Sequence, residues 1–334
     1  MMHRAKNEWR AMARATSCCV LLFLLAGAAA GRPQQQLTGD VAEEPAAAKF
    51  VYQDVENFLT AGEDMASGAD SAEALKSQYL DRASPGLKMY IEKYDLTVDR
   101  LLDAMGRHPE EYSRIGETLE LLRAHESSYR EVYADLRDAI PDAVFPPTYF
   151  VVGGYRGIGS GSIEGPLISI EKKTAQSIRE DLKATLVHEM VHMQQLSAVG
   201  DAYFAIFSGE ERTLLALSIR EGAATFFAEL VTGGSEHKNL ARAYYLGREK
   251  ELWPAFRADM LGHEMGDWLW STPADPDQPR DVGYAVGATI VEAFYEAASD
   301  KRKASREIMA IADYPNFLAK SRYPDWMDPE SGQR

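Results

Sequence analysis

The 334-residue chain is 46% hydrophobic and 26% charged, with a formal net charge of −15. No residue class dominates, which excludes collagenous, coiled-coil and wholly disordered readings, and the length suffices for one large or two modest cores. So acidic a chain lacks the basic patch that holds nucleic-acid phosphates, and no nucleic-acid partner is expected.

The first thirty residues stand apart. His3, Arg4, Lys6, Arg10 and Arg14 precede an apolar run from Cys18 to Leu25 and a small-residue exit through Ala28, Ala29 and Ala30. This is the pattern of a secretory signal peptide at 1–30, with a retained signal anchor as the alternative. The run is short for a bilayer span, and no later segment approaches the roughly 20 apolar residues a span needs. Both cysteines, Cys18 and Cys19, lie in this leader, so its removal leaves no thiol to form a disulfide, attack a substrate or bind a metal. Removal also takes away four Lys/Arg residues and Glu8, deepening the charge to −18. Export to a bacterial periplasm or the exterior is the expected destination, with no stable membrane span after cleavage.

Residues 31–49, rich in Pro, Gln and Ala without periodicity, read as a flexible linker. From Phe50 to Ile140 apolar residues recur at three- and four-residue steps (Leu101, Met105, Ile115, Leu119, Leu122, Tyr129, Val132, Tyr133, Leu136), which predicts an N-terminal helical region over 50–140. The sequence leaves open whether it acts as a pro-segment. Thr148–Val152 and Leu167–Ile170 read as strands. Five glycines between them (Gly153, Gly154, Gly157, Gly159, Gly161) suggest a mobile loop, which lacks the signatures of a phosphate cradle. After Lys173 the pattern is helical again, interrupted by a Pro-rich loop at Thr272–Pro279.

The chemistry-bearing segment follows Asp181. Leu182, Leu186, Met190 and Met193 form a stripe at helical spacing, predicting an amphipathic helix. On it His188 and His192, four residues apart, share one face and can converge on one cation. Neutral imidazoles bind Zn2+ at about 2.0–2.1 Å and leave positions open for water, whose pKa zinc lowers to about 7. Glu189, beside the first histidine, is placed to act as general base on that water. The pattern is HExxH, and two surface histidines on a helix are the plain alternative.

A third protein ligand is needed. The metzincin extension is excluded, because Gln195 and Ala198 stand where it requires glycine and histidine. A glutamate from a later helix is the alternative, and Glu221, followed by Gly222, supplies one. HExxH with this downstream glutamate resembles the gluzincin class of zinc metallopeptidases, and is similar to bacterial families of predicted zinc-dependent proteases. The resemblance covers roughly residues 145–295. It implies an α+β, mainly α fold with a zincin-like catalytic core and a small sheet, a metallopeptidase domain over 141–334, and one zinc per chain. It further implies His188, His192 and Glu221 as ligands, Glu189 as base, and a peptide or protein substrate. Thermolysin-like members carry an aspartate four residues after the ligand glutamate to orient a ligand histidine. Here Thr225 stands there, and Glu229, two turns beyond Glu221, is the nearest substitute, with an ordinary helix charge as the equal alternative.

Gluzincins also use a tyrosine or histidine on the oxyanion formed at the attacked carbonyl. Tyr284, between Gly283 and Gly287, is the candidate, and core packing is its alternative role. Leu167–Ile170 is the candidate edge for an extended peptide, with a plain structural strand as the equal alternative, and the glycine loop is a candidate cover, with an ordinary surface loop as its alternative. His263-Glu264 begins like a second motif, but Asp267 occupies its fifth position. His108, His125 and His237 lack partners at ligand spacing, and Trp253, Trp268 and Trp270 read as core or interface. The function expected is an exported zinc metallopeptidase using zinc-activated water. A zinc hydrolase of non-peptide amides or esters and a non-catalytic zincin-like binding protein are the alternatives.

Overall fold

The computed structural model describes residues 37–327 apart from 158 and 235. The expected signal peptide therefore lies outside the described residues. Among them no helix is long and apolar enough to cross a membrane.

The segment expected as a flexible linker is held from residue 37 onward. Thr38 N–H donates to the Ile163 carbonyl at 2.9 Å, and Ala42 and Phe145 exchange both backbone hydrogen bonds. Strand β1 (Phe50–Val51) then opens the region expected to be helical throughout. Behind it come α1 (Gln53–Ala66), α2 (Ser71–Ala74) running into a π-helical turn, α3 (Pro85–Tyr94), α4 (Val98–Arg107), α5 (Pro109–Ser113), α6 (Ile115–Ala124) and α7 (Glu126–Ala139). Side-chain caps start several of these helices, Asp70 for α2, Ser84 for α3 and Thr97 for α4, each accepting from a first-turn N–H.

The expected strands are β2 (Thr148–Val151) and β4 (Leu167–Ser169), and between them lies a short third one, β3 (Gly159–Ser160). The sheet order is β1-β2-β4-β3, with β1, β2 and β4 parallel and β3 antiparallel to β4. The glycine-rich segment, expected as a loop, is tied down at several points. Where β2 ends, its backbone groups run out of ladder partners and must bond elsewhere. Tyrosines of the N-terminal helices answer them: Tyr79 OH bonds both Val152 N and O, Tyr112 OH donates to the Gly153 carbonyl, and Tyr90 OH to that of Arg156. Ser169 holds the Gly157 carbonyl, and buried Glu171, its pKa raised by burial, accepts from Gly153 N–H at 3.0 Å.

The rest is helical, as expected: α8 (Ala175–Glu180), α9 (Leu182–Val199), α10 (Ala202–Ala205), α11 (Leu214–Thr232), α12 (Glu236–Leu246), α13 (Glu249–Asp259), α14 (Val282–Ala297), α15 (Lys301–Met309), α16 (Tyr314–Ser321) and α17 (Tyr323–Met327). Helix α9 is not amphipathic as its stripe suggested. It is buried on nearly every side from Leu182 to Leu196, a helix at the centre of the core. Its neighbour α11 crosses α14 at backbone distance: a Cβ on Gly222 would lie 2.2 Å from Gly287 C, and one on Gly287 would lie 1.7 Å from the Ser218 carbonyl oxygen. The N-terminal helices share one continuous apolar core with α9, α11 and α14.

Candidate metal centre and active site

Helix α9 presents His188 and His192 one turn apart, with ring centroids 4.9 Å apart and planes at 89°. Helix α11 brings Glu221 between them. Its Oε2 lies 3.2 Å from Nε2 of each histidine, and one donor atom from each of the three residues lies within 4.8 Å of the others. All three residues are buried.

The local hydrogen bonds say what this triad can hold. Gln195 donates its amide N–H to the Arg220 carbonyl at 3.1 Å, which turns its Oε1 toward His192 Nδ1 at 2.9 Å. Nδ1 therefore carries the hydrogen, and in the neutral ring Nε2 faces Glu221 as a lone pair. A lone pair against a carboxylate in a buried site requires a positive species between them, a proton or a metal ion. Burial opposes ionisation of Glu221, yet the His192 charge and the hydrogen bonds of both histidines outweigh it and hold its carboxyl well below the usual range. Burial likewise opposes protonation of His192, and Glu221 prevails and raises its pKa. Two imidazole nitrogens and one carboxylate oxygen form the donor set of an open zinc site.

The orienting group of His192 is thus Gln195, three residues on and on the same helical face. It occupies the position whose non-glycine identity excluded the metzincin pattern. Glu229 does not take that role. Its Oε2 pairs with Arg242 of α12 at 3.2 Å, and Arg242 also binds Thr289 and Glu292, so this cluster fastens α12 to α11 and α14. Arg220, also missed in the sequence, is buried against Tyr203, its guanidinium 3.8 Å from the ring centroid and 3.0 Å from the Tyr203 carbonyl. Tyr203 in turn abuts His192 edge-on, with centroids 6.5 Å apart.

The expected peptide edge is corrected. β4 is bonded on both sides, by β2 and β3, so the outer strand here is β3. It rides directly on α9: Cβ atoms on Gly159 and Gly161 would meet Glu189 Oε1 at 2.7 Å and Met193 Cε at 2.7 Å. A two-residue Gly-Ser strand has no propensity signature and leaves no mark in the sequence. The obstacle at Gly159 is the far end of a flexible side chain, so Gly159→Ala is expected to leave Tm within about 2 °C. Because the displaced group is Glu189, kcat is expected to fall about 10²-fold with zinc content unchanged. Thermal melts beside kinetics check both halves.

Tyr284, in the first turn of α14, lies with its ring nearly parallel to that of His188, centroids 6.1 Å apart. Burial, then the charge of Glu221, pushes its phenol well above the ordinary value, so it stays a hydrogen-bond donor. Trp253 and Trp268 are core residues as expected, and Trp270 packs against the core and also bonds Tyr284. Among the histidines whose side chains are described, the others stand apart: His263 faces the Arg212 carbonyl, His125 that of Leu121, and His108 stacks on Tyr155, while the His237 side chain lies outside the described residues.

A mainly helical α+β chain in which an HExxH helix and a later glutamate close a buried His–His–Glu triad defines the class: a protein whose site is compatible with one metal ion. Residues 151–312 match the model of the family described as "Predicted Zn-dependent protease (DUF2268)", the family type the motif resembled. The match runs from the last residue of β2 past α15 and takes in every residue of the triad. No curated protein and no solved structure shows a significant match to the chain.

Proposed function

We propose that this chain is a zinc-dependent peptidase. The observation that carries the reading is the convergence of Glu221 Oε2 on both imidazoles, with Glu189 buried beside them under the β3 strand. A zinc ion held by His188, His192 and Glu221 would supply Lewis acidity, acidifying the attacking water and polarising the scissile carbonyl. Glu189 takes the proton from that water as the C–O bond forms, and delivers it to the amine nitrogen as the C–N bond breaks. Tyr284 donates its hydrogen bond to the carbonyl oxygen as charge develops there. An extended peptide pairs with β3, whose approach to α9 brings the substrate backbone over Glu189. The core is zincin-like in this reading, and the leader at 1–30 makes the enzyme an exported one.

The test is metal content beside turnover. The purified protein is expected to hold one zinc per chain, Glu221→Ala to lose it, and the wild type to cleave members of a peptide library in a chelator-sensitive way. Zinc retained in Glu221→Ala would remove Glu221 as ligand. Activity confined to esters or non-peptide amides would move the protein to the other hydrolases. Zinc without any turnover would make it a binding protein.

A further inference from the structure

Helix α14 begins abruptly, and the chain before it is shaped for one contact. The segment from Met260 to Asp281 closes on itself: the Asp267 carboxylate accepts from Ala274 N–H, Gln278 donates to the Asp267 carbonyl, Ser271 to that of Gly266, and Arg280 to that of Ser271. Within it Trp270 has a φ of 58°, and Asp281, the residue before α14, a φ of 63°. Both are left-handed conformations that side-chain-bearing residues adopt only where the surroundings enforce them. The two are clasped, Trp270 N–H to Asp281 Oδ1 at 2.6 Å. The outcome of this clasp is that the Trp270 indole Nε1 stands 3.0 Å from Tyr284 OH.

Indole is a donor only, and a phenol has one hydrogen to give and lone pairs to accept with. The bond therefore has a fixed direction: Trp270 donates and the Tyr284 oxygen accepts. Among the described residues no other hydrogen-bond partner of that oxygen occurs, so no protein acceptor claims the phenol's hydrogen. On the reading that this is a peptidase site, we propose that Trp270 is a positioning residue, whose N–H occupies the Tyr284 oxygen and turns the phenol's own hydrogen toward the substrate carbonyl oxygen beside His188. The left-handed backbone at Trp270 and Asp281 keeps the donor in place before substrate arrives, which is what makes such a hydrogen bond effective in a transition state.

The orientation is tested without activity. The sequence has five tryptophans, and Trp270→Phe identifies the Trp270 indole by the N–H resonance it deletes. In Tyr284→Phe that resonance is expected to move upfield and exchange faster with water. In kinetics on a cleaved peptide, Trp270→Phe is expected to lower kcat about tenfold, a part of the ~10²–10³ that loss of an oxyanion donor costs, with KM within about twofold. The same substitution in a Tyr284→Phe background is expected to cost nothing more. A tryptophan analogue with sulfur in place of the indole N–H, installed at position 270, keeps the ring's shape and is expected to reproduce the loss. An unmoved resonance, full activity in the sulfur analogue, or losses that multiply in the double variant would overturn the proposal. A moved resonance in a protein that cleaves no peptide upholds the orientation and overturns the peptidase reading instead.

Discussion

Glu189→Gln is expected to leave one zinc per chain and to lower kcat by about 10³- to 10⁴-fold, the upper part of what a positioned general base contributes. The reason is geometric. Glu189 is buried beneath β3 and is not part of the His188–His192–Glu221 cluster, and glutamine preserves its volume while removing the proton acceptor. The carboxylate is also shielded by β3, which passes so close that a Cβ on Gly159 would lie 2.7 Å from Glu189 Oε1. KM is expected to move little, because base catalysis is realised only in the transition state. Metal analysis and kinetics on one preparation check this. A fall in zinc parallel to the fall in activity would show instead that Glu189 supports the metal.

Gly287→Ala is expected to have the largest effect on stability. Its Cβ would lie 1.7 Å from the Ser218 carbonyl oxygen and 3.0 Å from Ile219 N, both backbone atoms, so relief requires α11 and α14 to separate. A cost of about 3 kcal/mol or more follows, at the top of the overpacking range, with Tm lowered by roughly 10 °C. Separation also carries Glu221, one turn past Ser218, away from the histidines, so zinc is expected to be lost with the fold still largely helical. Gly62→Ala is the matched control. Gly62 lies inside α1 with open space around it, and alanine there is expected to stabilise by about 0.5–1 kcal/mol. Calorimetry on the two variants reads opposite signs from the same chemical change. Equal melting temperatures would show that the helices do not cross at the distance described.

What is periodic and local can be read from the order of residues alone. His188, Glu189 and His192 lie on one helix at fixed spacing, so their common face was legible without any tertiary contact. The same holds for the N-terminal helices, for β2 and β4, and for Glu221 as the glutamate of a second helix. Tertiary structure decided everything that depends on which surfaces meet. It chose Gln195 rather than Glu229 to orient His192, because an amide three residues past a histidine reaches its ring only when Arg220 of a neighbouring helix accepts the amide N–H. It made β3 rather than β4 the outer strand beside the site, since a Gly-Ser pair becomes a strand only by pairing with β4. It fastened the glycine-rich segment through Tyr79, Tyr90 and Tyr112, residues far upstream that carry no sign of their partners. It turned Trp270 from one more buried aromatic into the donor that holds Tyr284. In each case the deciding bond joins a backbone group or a side chain to a residue of another element, and no periodicity records such a pairing.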